Sequence, residues 1–151
     1  MGTVFRRAPA DRGQSLVELA MVLPFLLLLV AGVIEFGQAY YQYNMLSKAV
    51  REAARYMSQS PYDTNQFLEC KNLAVYGNSV GTGSPIIPDL TIANIQITPR
   101  LGGTSITAPP QWVKVSVTGY TFTAKLFGLI PLSVDFAPAV EMRYVGLNAT
   151  F

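Results

Sequence analysis

Between Leu19 and Ile34 the chain carries no charge and no strongly polar side chain. Leu16 and Val17 lengthen the run, and only Glu18 interrupts it. A bilayer core about 30 Å thick needs roughly 20 helical residues at about 1.5 Å each. With its ends counted, the stretch is long enough to cross once. Glu18 is out of place by that logic. A carboxylate at bilayer depth costs about 2.5–3.5 kcal/mol on insertion scales, and less near an interface. The flanks set a direction. Arg6, Arg7 and Arg12 precede the run against Asp11 alone, Glu35 follows it, and the next basic residue is Lys48. The positive-inside rule then keeps the N-terminus cytoplasmic and exports the C-terminal bulk.

Two simpler readings compete. A secretory signal peptide has a basic start, but this apolar run is long for one. Bulky Leu29 also stands where a cleavage site near Ala31 and Gly32 wants a small residue. A plain single-pass anchor explains the run but leaves Gly13 and Glu18 without a purpose.

Gly13, four further residues and then Glu18 stand at the mouth of the apolar helix, behind a short basic leader. This arrangement resembles the processing site of type IV prepilins. There a membrane peptidase cuts after the Gly, and the Glu becomes the fifth residue of the mature chain. Glycine suits such a cut because it lets backbone approach closely. The segments R-G-Q-S-L-V-E-L-A-M-V-L-P, G-V-I-E-F-G-Q-A-Y and A-V-R-E-A-A-R-Y resemble the TadE-like family, from Arg12 to about Tyr56. These are minor pilins or pseudopilins of tight-adherence (Flp-type) pilus systems. Flp major pilins usually carry Tyr after the Glu, whereas this chain has Leu19, which favours a minor pilin, as does the chain's length. The resemblance implies a mature N-terminus at Gln14 and an assembly role for Glu18. It also gives meaning to Pro24, near which type IV pilins often loosen on entering a filament. The implied partners are a prepilin peptidase, other minor pilins, the major Flp-type pilin, the inner-membrane assembly platform and the lipid bilayer. No cofactor is implied.

Composition narrows the remaining function classes. Removing residues 1–13 takes away three of eleven basic side chains and one of nine acidic ones, leaving eight of each. The basic excess thus belongs to the leader, and no basic face suggests nucleic-acid binding. Histidine is absent and Cys70 is the one cysteine. The usual zinc sites and the Ser–His and Cys–His systems are therefore excluded within this chain. Cys70 either pairs with another chain or lies buried, and burial suits a free thiol better. Asp63, Asp89 and Asp135 are scattered without a catalytic spacing.

Four stretches follow: a leader (1–13), a membrane half of one long helix (14–36), an amphipathic outer half (37–60) and an exported domain (61–151). The leader reads as disordered. The helix is expected to start near Gln14 or Ser15, and Ser15 with Glu18 fits a capping box, which alone would account for Glu18. Pro24 removes a backbone donor and crowds the carbonyl of Ala20, so a kink or loosened turn is expected. Phe36, Tyr40, Tyr43, Leu46, Val50, Ala53 and Met57 recur at steps of three and four and form a stripe that needs cover. Lys48 and Arg55 can each pair with Glu52. Tyr40, Tyr41 and Tyr43 read equally as an interfacial belt or as packing for a neighbouring helix. Ser58 to Pro61 ends the helix.

A shorter helix is expected next, with Asp63 and Gln66 as a capping box, Phe67, Cys70 and Ala74 on one face, and Gly77 as C-cap. Residues 77–88 read as a loop. Strands are expected at Leu90–Thr98, at Trp112–Thr118 with Val113, Val115 and Val117 on one face, and at Val140–Tyr144 with Glu141 and Arg143 outward. The loop between the first two fits a wide hairpin. Tyr120 to Ile130 is ambiguous: Phe122, Leu126 and Phe127 suit a short helix or an extended crossing. Pro138 marks an edge or bend. Asn148-Ala149-Thr150 matches a glycosylation sequon, for which the resemblance to a bacterial pilus family makes chance the better explanation.

The fold class expected is α+β and type IV pilin-like, a long, partly transmembrane N-terminal helix packed on a small antiparallel sheet. The function expected is a non-enzymatic pilus subunit. An uncleaved, membrane-tethered periplasmic binding or scaffold protein is the alternative, and a membrane-anchored hydrolase is a third class with little support.

Overall fold

The computed structural model describes residues 10–126 and 130–146. One helix, α1 (Ala10–Gln59), accounts for 50 residues, about 75 Å at about 1.5 Å per residue. It is already helical at Ala10, four residues ahead of the expected start. Ala10 to Gly13 are therefore not the disordered end of a leader, and residues 1–9 lie outside the described residues. Nothing between Ala10 and Ser15 breaks a helix strongly enough to start it later. This places Ser15 inside α1 rather than at its cap, so Ser15 and Glu18 form no N-terminal capping box. The helix is assigned without a break through Pro24.

The stripe on α1 is half right. Leu46, Val50, Ala53 and Met57 are fully buried, joined by Ala49 and Ala54. Phe36 and Tyr40 are exposed, and Tyr43 remains 41% exposed although its ring meets Phe136 edge-on at 5.5 Å. The seven positions step by about 3.5 residues on average, so the row drifts around a helix of 3.6. Lower on the helix, Ala39 and Met45 touch the core instead. Glu52 pairs with Arg55 at 3.0 Å on the surface, a contact worth little in water.

The second helix, α2 (Thr64–Tyr76), is capped at both ends. The Asp63 carboxylate accepts from the Thr64 N–H at 2.5 Å. Gly77 takes the left-handed conformation (φ 73°) and donates its N–H to the Leu73 carbonyl at 3.0 Å, which a residue with a Cβ does at a cost. Gln66 does not complete a capping box. Its Oε1 lies 2.6 Å from the Tyr56 hydroxyl, which also contacts Glu69 and so ties α2 to α1. Cys70 is fully buried and its thiol donates to the Ala53 carbonyl at 3.3 Å. The C-terminal carbonyls of α1 are met by the far end of the chain. Val145 and Gly146 donate backbone N–H groups to the Ser58 carbonyl at 2.9 and 3.0 Å, and the Tyr144 hydroxyl donates to Ser60 at 2.8 Å. Helix ends otherwise leave such acceptors unpaired.

Five strands follow: β1 (Ile95–Gly102), β2 (Pro110–Val117), β3 (Tyr120–Leu126), β4 (Ile130–Phe136) and β5 (Ala139–Arg143). They form two antiparallel sheets rather than one. The larger has the order β1-β2-β5, and the smaller is the β3-β4 pair. The wide hairpin is present, running from Ile95 opposite Val117 to Gly102 opposite Pro110. In β2, Val113, Val115 and Val117 are buried and face α1, as their alternation requires. Pro99 sits in the ladder of β1 because β1 is an edge strand. The ambiguous segment from Tyr120 is extended, not helical; Phe127 lies outside the described residues, as does the sequon at 148–150. Tyr120, Phe122 and Phe136 close the lower end of the core, with Phe122 and Phe136 stacked at 5.7 Å.

Candidate functional site on the long helix

Among the described residues, the lower half of α1 stays exposed. From Leu16 to Ile34 every large apolar side chain is between 47% and 76% exposed. Removing that surface from water is the largest unmet driving force in the molecule. Among the described residues α1 is the one helix long and apolar enough to cross a membrane. Its backbone polar groups are satisfied internally, as a lipid environment demands. The exception is the Ala20 carbonyl, which loses its donor four residues on because Pro24 has no N–H.

Gly13, Gln14, Glu18 and Pro24 all lie along this uncovered half. Gln14 and Glu18 are one turn apart, and the Gln14 amide donates to Glu18 Oε1 at 3.3 Å. Gly13 has no packing reason to be glycine. A Cβ built there meets no heavy atom within 4 Å, and the same holds at Gly32 and Gly37. Glycine inside a helix costs roughly 0.5–1 kcal/mol against alanine, and at Gly13 no contact among the described residues offsets that. The structure therefore brings Gln14 and Glu18 together, with Gly13 directly before Gln14, and leaves Pro24 further along the rod.

Where α1 enters the folded domain, a groove of about 460 Å³ opens between it and the loop after α2. Ile34, Gly37, Tyr41 and Met45 form one wall, and Ile86 and Pro88 the other. Just beyond it the Tyr120 hydroxyl lies 3.3 Å from Gln42 Oε1 and 3.2 Å from the Pro88 carbonyl, joining helix, loop and β3. Burial pushes the Tyr120 hydroxyl above its ordinary value, with Asp89 adding to the shift. The sequence did not mark this joint, because it joins Gln42, Pro88 and Tyr120, residues far apart in the chain. Tyr41 lies in the groove wall, whereas Tyr40 does not line it.

Reactive chemistry is poorly served. No group of three or more His, Cys, Asp or Glu side chains that could hold a metal occurs among the described residues. Burial pushes the Cys70 thiol up to about 12, against a small opposing pull from Lys71, so it is a packed side chain rather than a nucleophile.

Residues 13–55 match the model of a family described as TadE-like protein. The match begins at Gly13 and ends at Arg55, within the outer half of α1, and it bears out the resemblance read from the same residues. It supports a part in a tight-adherence pilus system. No curated protein and no solved structure matches the chain.

Proposed function

We propose, from the TadE-like character of residues 13–55 and the bare helix they form, that this chain is a minor pilin or pseudopilin of a tight-adherence pilus. It is a structural subunit and not an enzyme. The chain is inserted with its C-terminal domain exported, cut after Gly13 by a prepilin peptidase, and held in the membrane by the uncovered half of α1. It then joins other minor pilins, the major Flp-type pilin and the assembly platform through that helix. The observation that carries this reading is the coincidence of two features. An exposed apolar face runs from Leu16 to Ile34, and a glycine with no packing role stands at its mouth.

Moving the helix from lipid to a bundle replaces one apolar environment with another. Packing and the satisfaction of polar groups therefore drive the exchange. Two groups on α1 ask for a partner in such a bundle. One is the Ala20 carbonyl freed by Pro24, where loosening of the helix would let a neighbour or a turned backbone supply a donor. The other is Glu18, whose partner becomes the new amine of Gln14.

Intact-mass measurement of the protein from cells that carry its peptidase tests the reading. A mature chain beginning at Gln14 is expected, in open or cyclised form, and Gly13→Glu leaves the full-length membrane form. A wild-type chain that still begins upstream of Gly13 would overturn it and favour an uncleaved tethered scaffold.

A further inference from the structure

The outer face of the larger sheet carries one partly exposed aromatic side chain. Trp112 is the chain's one tryptophan. It points away from α1, on the opposite side of β2 from Val113 and Val115, and is 38% exposed. It makes no ring contact or hydrogen bond among the described residues. Its partners across the sheet are Arg100 on one side and Arg143 on the other. Arg100 is already paired with Glu141 at 3.1 Å. Arg143 forms no ion pair among the described residues, and neither does Lys114, two residues along the same face. Trp112 and Arg143 line one groove of about 360 Å³, closed by Pro110 and Gln111 on one side and Tyr144 on the other.

We infer that this groove binds an acidic polysaccharide, with Trp112 stacked on a sugar ring and Arg143 paired with that sugar's carboxylate. A pyranose ring has a face of C–H groups that suits an indole and a rim of hydroxyls that suits Gln111. A uronic acid adds the carboxylate that a guanidinium fork grips in two places. The volume is that of a small-ligand site with a few placed polar groups. Other polyanions fit less well. An acidic peptide anchors through apolar side chains in a pocket, and this lining is mainly polar. A nucleic acid draws its affinity from many phosphate contacts, and Arg143 is the one basic side chain lining this groove among the described residues. The groove sits where Tyr144 and Val145 meet the C-terminal end of α1, far from the uncovered stretch between Leu16 and Ile34, so this inference does not rest on the proposed assembly role.

Because Trp112 is the one tryptophan, its fluorescence reports on this groove alone. The full-length chain in detergent is titrated with oligogalacturonate, and in parallel with neutral maltohexaose, polyglutamate and oligothymidylate. A saturable change with oligogalacturonate alone is expected. Arg143→Gln should weaken it by about tenfold or more, as loss of a charge-assisted pair implies. Arg143→Lys, which keeps the charge without the fork, should weaken it less. Glu52→Gln, on the surface of α1, should leave it unchanged. The inference is overturned by no saturable change, by an equal response to maltohexaose, polyglutamate or oligothymidylate, or by unaltered binding in Arg143→Gln protein of native circular dichroism.

Discussion

Cys70 shows how one buried atom sets a limit on the conditions in which the domain survives. Its thiol is enclosed between α2 and α1 and donates to the Ala53 carbonyl. Burial holds its proton to about 12, against 9.0 for a free thiol. Tyr56, Tyr62, Tyr120 and Tyr144 are shifted the same way, chiefly by burial. The unfolded chain therefore releases these protons at lower pH than the native one. Native stability from this source is complete below about pH 9 and falls as pH rises toward 12. Melting followed by circular dichroism should be flat up to about pH 9 and decline above it. Cys70→Ala should be less stable at neutral pH, through a small cavity, but decline less steeply between about pH 9 and 10. At pH 8 a thiol reagent should label Cys70 only after unfolding. The burial of Cys70 was legible from its spacing with Phe67 and Ala74. The role of Gly81 was not. A Cβ there would come within 2.8 Å of the buried Asn72 side chain, a contact between residues on different elements that no local pattern announces.

At the scale of elements, β2 was the plainest stretch of the sequence, because three valines alternate with polar residues and one face is buried. The β3-β4 pair was missed for a physical reason. Tyr120 and Phe122 alternate with Thr121 and Thr123, which is a strand pattern, but Phe122 and Leu126 are also spaced like a helical turn. The choice was made by partners distant in sequence: Asp135, which accepts from the Thr121 hydroxyl at 2.6 Å, and the ring of Phe136. The stripe on α1 was read correctly only where the domain reaches it. Leu46, Val50 and Met57 lie at zero exposure against β2, β3 and β5. Each large side chain buried contributes roughly 1.5–3 kcal/mol, against a total margin of about 5–15 kcal/mol for a domain. A fragment beginning at Gly37 should melt cooperatively in water, and one beginning at Ser60 should not. Matching transitions in near-ultraviolet circular dichroism for both fragments would refute the claim that the helix completes this core.

For the molecule as a whole, the question is what the bare half of α1 meets. Glu18 is the most telling position on it, since the helix begins upstream and the residue is not needed as a cap. Its hydrogen bond to the Gln14 amide, at 3.3 Å and exposed, is weak support for a charge at the edge of an apolar segment. An unpaired charge in such surroundings is heavily penalised, so pairing with an amine at Gln14 would favour one axial register between packed helices. Glu18→Gln should insert in the membrane and be cut normally, yet recover fewer partner pilins after crosslinking. Normal recovery with normal pili would remove Glu18 from assembly, and failed cutting would move its role to peptidase recognition. The continuity of α1 has a last consequence. Because the same unbroken helix is both the rod below and a wall of the core above, the azimuth of the lower half is locked to that of the domain. Deleting one residue from the uncovered stretch near Gly32 would turn the two by about 100° and shorten the rod by about 1.5 Å. The chain thus behaves as a shaft keyed to its head, and any neighbour that grips the shaft also fixes the direction in which the sheet faces.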